Sequence, residues 1–112
     1  MIRIGFCCLA LISAAPAQAF NCLFDTECYE AEGCAASNFD IDVSTEDKTL
    51  SAAFGDLTIL AIKRSESLVT LFATGGGAEY MLSATPEAAR LSVQMNQGPL
   101  VLSYLGICEG AF

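Results

Sequence analysis

The chain has 112 residues, with five Lys and Arg against thirteen Asp and Glu, six cysteines, no histidine and no tryptophan. That length holds one small domain. The acidic balance argues against nucleic acid and anionic membrane surfaces, which are bound through clustered Lys and Arg, and the missing histidine excludes any catalytic dyad or triad built on one.

The chain opens "MIRIGFCCLALISAAPAQAF". Arg3 precedes an apolar run from Ile4 to Ala15, and Ala17-Gln18-Ala19 has the small-x-small form of a signal-peptidase site. The pattern predicts a signal peptide over 1–19, cleaved before Phe20, with Cys7 and Cys8 leaving in it. A single disulfide-stabilised β domain, 20–112, then remains. It carries Lys48, Lys63, Arg64 and Arg90 against the thirteen acids, so its net charge is 4 − 13 = −9. The short signal points to a bacterial periplasmic or secreted protein. No second apolar run is long and continuous enough to predict membrane insertion after cleavage. A basic envelope protein as partner fits the sign of the charge, and plain solubility is the simpler reading. Oligomeric state is not legible.

"NCLFDTECYEAEGC" follows, with Cys22, Cys28 and Cys34 interleaved with Asp25, Glu27, Glu30 and Glu32. With Cys108 the count is even, which in a small exported chain reads as two disulfides. Every pairing sends one clustered cysteine to Cys108. That bridge closes roughly 75–87 residues and contributes about 4–5 kcal/mol; the local bridge contributes roughly 2–3 kcal/mol. Cys22 or Cys34 makes the long reach most simply, since either leaves a consecutive pair to close locally. The C-x5-C spacing and the absent histidine argue against zinc, and no C-x-x-C redox motif exists. "DIDVSTED" fails as a calcium loop, because its sixth and twelfth positions hold Thr45 and Ser51 instead of Gly and Glu. No metal and no cofactor is expected.

Beyond Cys34 the apolar period is close to two, as in half-buried antiparallel strands. Phe39, Ile41 and Val43 share one face, as do Leu50, Ala52 and Phe54, then Leu91, Val93 and Met95, then Leu100, Leu102 and Tyr104. Turn signals punctuate these runs. The spacing predicts strands near 39–43, 49–54, 57–62, 67–73, 79–84, 90–95 and 100–105. The fold expected is all-β: a small antiparallel meander or barrel of about 7–8 strands, with a disulfide-tethered N-terminal segment. "TPEAARL", 85–91, reads as a turn feeding a strand, with a one-turn helix as the alternative. "LTILAI", 57–62, and "LVTLFA", 68–73, are apolar on both faces. The cysteine-rich segment is expected to cover their outer face, its acids turned to water; a dimer or partner surface is the alternative.

No catalytic residue is expected. With all four cysteines paired no thiol nucleophile remains, and Lys48 and Lys63 sit in polar turns. "TGGGAEY", 74–80, lacks the Lys-Ser/Thr and the helix of a phosphate loop. Its glycines fit a hairpin turn. The functional alternative is a recognition loop formed by Thr74, Gly76, Gly77, Ala78 and Tyr80.

The frame "NCLFDTECYEAEGCAASNF", with the ending "SYLGICE", resembles a group of small bacterial exported proteins with clustered N-terminal cysteines and a strand-rich middle. The likeness spans nearly the whole mature chain and implies fold and compartment but no activity. "TGGGAEY" is also similar to the signature of the membrane-bound inhibitors of c-type lysozyme, small exported β-barrels. Gly77, Ala78 and Tyr80 match in place, Gln97-Gly98 stands where that family has Lys-Gly, and Cys108 takes the place of its last cysteine. Gly76 replaces the serine that the family inserts into the enzyme's cleft, and the lipid-anchor cysteine is missing. The expectation is therefore a periplasmic, non-catalytic binding or inhibitor-like module. The alternatives are an envelope-structural protein without a discrete ligand and a c-type lysozyme inhibitor.

Overall fold

In the computed structural model, which describes residues 18–112, the alternating pattern forms eight antiparallel strands. They are β1 Ala19–Tyr29, β2 Gly33–Ser44, β3 Thr49–Ala52, β4 Gly55–Arg64, β5 Val69–Gly75, β6 Ala78–Ala84, β7 Ala89–Met95 and β8 Leu100–Glu109. Each pairs with the next, and β1 pairs with β8, so the meander closes into a barrel. The predicted signal peptide lies outside the described residues up to position 17. At its expected end, Ala19 pairs with Ser44, and the Gln18 carbonyl accepts the Thr45 N–H at 2.8 Å.

Closure comes with a steep stagger. Starting at Ala19, the paired neighbours are Ser44, Thr49, Thr58, Thr74, Glu79, Gln94 and Val101. Val101 adjoins Leu102, which faces Tyr29 at the far end of β1. One circuit thus climbs about ten residues, so the strands are strongly tilted, as closing eight strands over a filled interior requires.

The inward positions fill that interior. Phe24, Ile41, Leu50, Leu71, Leu82 and Leu91 are fully buried, while Asp40, Asp42, Thr58, Arg90 and Gln94 stand in water. The connections 45–48, 65–68 and 85–88 share one end, the base, with both strand termini. There Gly110, at φ +83°, turns the tail across the barrel. Ala111 is buried, and the Arg64 guanidinium donates to its carbonyl at 3.0 Å. The segment 85–88 is a turn feeding β7 and not a helical one: the Thr85 hydroxyl accepts the Glu87 and Ala88 N–H groups.

Two expectations need correction. The cysteine-rich segment neither hangs from the barrel on a disulfide nor covers a sheet; it is β1 and the start of β2, two staves of the wall. The bridges are Cys22–Cys108 and Cys28–Cys34, each joining residues directly opposite on paired strands. The first sits inside the barrel on the β1–β8 seam, and the second fastens the β1–β2 hairpin. Nor do the described residues cover the outer face of β4 and β5. Leu60 is 64%, Phe72 40% and Met81 43% exposed. The two-sided look of "LTILAI" comes from a β-bulge between Ile59 and Ala61, which moves the inward phase from Ile59 to Ile62 and turns Leu60 and Ala61 outward.

A second bulge lies in β1 between Phe24 and Thr26. Phe20, Cys22 and Phe24 point inward before it. After it the phase is reversed, so Glu27, opposite Tyr104, and Tyr29, opposite Leu102, turn inward. Gly106, opposite Phe24, accommodates the bulge. A Cβ there would overlap the Leu23 carbonyl oxygen and stand 2.6 Å from Phe24 Cα.

Candidate functional site

The end opposite the base remains open. Four connections rim it: the 3-10 turn Glu30–Glu32, the tips 53–54 and 76–77, and the loop 96–99. The cavity behind them measures about 650 Å³. Its polar lining is confined to tyrosines: Tyr29, Tyr80 and Tyr104 share it with Phe39, Phe54, Val93, Met95, Leu102 and Gly76. Volumes of roughly 300–1,000 Å³ with mostly apolar walls are those of small-molecule sites, and the mouth of a β-barrel is a recurrent place for them.

Local structure places each ring. Phe39 keeps the inward phase of Ile41 and Val43 and lies one step nearer the mouth. Tyr80 and Tyr104 extend the inward rows of β6 and β8. Phe54 was expected at the end of a strand. β3 stops at Ala52, because Ala52 and Gly55 pair around a two-residue turn. Phe54 on that turn reaches over the rim, 59% exposed. The rings form a connected arc. Centroid distances are 6.4 Å for Tyr80–Phe54, 6.1 Å for Phe54–Phe39 and 4.8 Å for Phe39–Tyr104. Phe24 forms the floor, 6.2 Å from Phe39 and 6.0 Å from Tyr104. Such spacings are favourable for offset or tilted rings.

One carboxylate faces this arc. By its local pattern Glu27 belongs with the acids expected to turn to water. The reversed phase of β1 instead sets it beside Tyr104, whose hydroxyl hydrogen-bonds to it. Burial, and then the bond and charge of Glu27, hold the Tyr104 phenol well above its ordinary pKa. Burial raises Tyr80 as well. Outside the wall, Glu79 bonds to Thr74 and to Asn96, whose amide donates at 3.1 Å; these contacts lower its pKa. Glu30 braces the rim, its carboxylate accepting the Val101 N–H at 2.9 Å.

The cations, though not the acids, are confined to one end: Glu46, Asp47, Glu66, Glu87 and Glu109 lie at the base with them. The four cations of the described residues, Lys48, Lys63, Arg64 and Arg90, lie in the base connection 45–48, at the end of β4 and at the start of β7. The mouth end carries Glu27, Glu30, Glu32, Asp56 and Glu79.

The sequence-proposed loop lands on this rim. Gly76 and Gly77, at φ +61° and +82°, make the two-residue turn of the β5–β6 hairpin, in the left-handed region that such turns require. Both are exposed, whereas Ala78 and Tyr80 point into the barrel and are buried. Thr74 lies outside, against Glu79. Of the five residues, Gly76 and Tyr80 meet at the cavity. Cys22, Cys28, Cys34 and Cys108 are all in disulfides, and no group of three or more potential metal ligands exists among the described residues. Tyr29, Phe39, Phe54, Tyr104 and Glu27 lie outside the candidate loop and carry no local motif that marks them as site residues. The available signal was that the chain has three tyrosines and no tryptophan, and all three tyrosines line the mouth. Searches of family models, curated proteins and solved structures find no match to this chain.

Proposed function

We propose that the protein is an exported bacterial binding module, acting in the periplasm without catalysis, whose site is the aromatic mouth. The observation that carries the reading is an open, ring-lined cavity at one end of a barrel that is otherwise filled. Packed rings exclude water when a ligand covers them, and rings held by strands lose little freedom on binding. The two disulfides support an oxidising compartment, and the N-terminal pattern supports export. Among the described residues no helix is long and apolar enough to cross a membrane.

The test uses a neutral apolar fluorophore, N-phenyl-1-naphthylamine. It binds the wild-type protein saturably, and Met95→Trp, which fills the cavity, abolishes the signal. Phe72→Ser with Met81→Ser, on the outer wall, leaves it intact. Binding that survives Met95→Trp and disappears with the outer-wall pair overturns the reading.

The resemblance to c-type lysozyme inhibitors supports a second reading, in which the 76–77 tip enters an enzyme cleft. It ranks lower because the tip offers only glycines, while Ala78 and Tyr80 turn inward. Under the binding-module reading, excess protein leaves c-type lysozyme activity unchanged.

A further inference from the structure

The mouth combines features that a purely apolar cup does not need. We propose that it is an aromatic cage for an organic cation, specifically a quaternary or fully alkylated ammonium group. The inference rests on the reading of the mouth as a binding site and specifies its ligand.

Aromatic faces carry negative quadrupole density, and a cation surrounded by several rings is held without giving up its charge to a single partner. Here Tyr80, Phe54, Phe39 and Tyr104 form a connected arc, with Tyr29 on the same rim. The Tyr104 hydroxyl donates to the Glu27 carboxylate, which makes that ring more electron-rich and places a full negative charge at its edge. Among the described residues, every Lys and Arg lies toward the base, so nothing at the rim competes for Glu27 or repels an incoming cation. Glu30, Glu32, Asp56 and Glu79 surround the opening with negative potential, which raises the local concentration of cations.

The same inventory selects the kind of cation. A primary ammonium brings three N–H donors, each needing an acceptor once water is removed. Among the side chains lining the cavity only the three tyrosines carry acceptors, their hydroxyl oxygens, and Glu27 is not part of that lining. A fully alkylated nitrogen has no donor to satisfy and presents methyl groups to the rings. Its charge needs only the ring faces and one nearby carboxylate.

The experiment reads intrinsic tyrosine emission, which here reports the mouth alone, since all three tyrosines line it and tryptophan is absent. Choline is titrated against its neutral isostere 3,3-dimethyl-1-butanol and against ethanolamine, which keeps the charge but has N–H donors. Expected is saturable binding of choline, about tenfold or more tighter than either comparator. Glu27→Gln weakens choline about tenfold, whereas the outer-wall pair Phe72→Ser with Met81→Ser leaves choline affinity unchanged. Phe39→Leu, which keeps the apolar volume and removes a ring, also weakens choline; circular dichroism checks that both variants fold. Equal affinity for choline and its neutral isostere overturns the cage, as does Glu27→Gln without effect. If the neutral fluorophore still enters the mouth, the binding-module reading stands while the cage falls. If neither fluorophore nor choline binds, both fall.

Discussion

Removing each disulfide separately tests the barrel's construction most directly. Cys22 and Cys108 are 86 residues apart and Cys28 and Cys34 are six apart. In the chain-entropy description, restraining the unfolded chain over these separations stabilises the fold by about 4.6 and about 2.2 kcal/mol. The native strands change little in either case, because the β1–β8 and β1–β2 ladders hold the same residues opposite one another. Burial widens the gap: Cys22 and Cys108 are core residues, whereas Cys34 is exposed. Cys22→Ala/Cys108→Ala is therefore expected to lose at least about 2 kcal/mol more than Cys28→Ala/Cys34→Ala, a difference of roughly 10 °C or more in Tm for a domain of this size. Urea unfolding followed by circular dichroism measures both losses, with a steeper denaturant slope in the seam variant because its unfolded chain is freed over a longer span. A hairpin variant that loses as much as the seam variant refutes the reasoning. The stabilisation would then reside in the native hairpin and not in the restrained unfolded chain.

Three further outcomes follow from the same geometry. Gly106→Ala forces β1 away from β8, because the new methyl meets the backbone of Leu23 and Phe24; it costs about 3 kcal/mol. Gly76→Ala, in open space but at φ +61°, costs only about 1 kcal/mol, and thermal unfolding of the pair checks the contrast. Phe54→Ala, at an exposed turn, lowers stability by about 1 kcal/mol or less but weakens fluorophore binding at the mouth, measured by titration. Tyr80 and Tyr104 have phenol pKa values raised in the fold. Their contribution to stability is therefore complete below about pH 10, the unfolded value, and is lost as pH rises through the folded values. Urea midpoints should fall on the alkaline side, and Tyr104→Phe should flatten that fall.

Apart from β4 and β5, the strands from Phe39 onward were legible because their inward and outward residues differ in polarity at a period of two. β1 was not, because "NCLFDTECY" mixes cysteines and acids and its bulge breaks the period after Phe24. The bulge at Leu60 made an ordinary strand look apolar on both sides, which suggested a cover that the described residues do not supply. The mouth was less legible still. Tyr29, Phe39, Phe54, Tyr80 and Tyr104 come from β1, β2, the β3–β4 turn, β6 and β8. They converge only through the stagger of a closed barrel, a property of all eight pairings together. Glu27 reads as a surface acid in any local pattern; only the reversed phase of β1 turns it inward.

The bulge at Asp25 has a consequence for oxidation. Cys22 and Cys28 are six residues apart, and on a regular strand both would project from the same face. The extra residue puts Cys22 in the lumen and leaves Cys28 outside, opposite Cys34. Once the first hairpin pairs, Cys28 has its partner within reach on the same face, while Cys22 is shielded by the sheet and faces Ile41. A chain emerging N-terminus first into an oxidising compartment can therefore seal its local bridge early without consuming the thiol reserved for Cys108. One inserted residue thus sorts two oxidation events by face and by time, and keeps the barrel's last seam open until its eighth strand arrives.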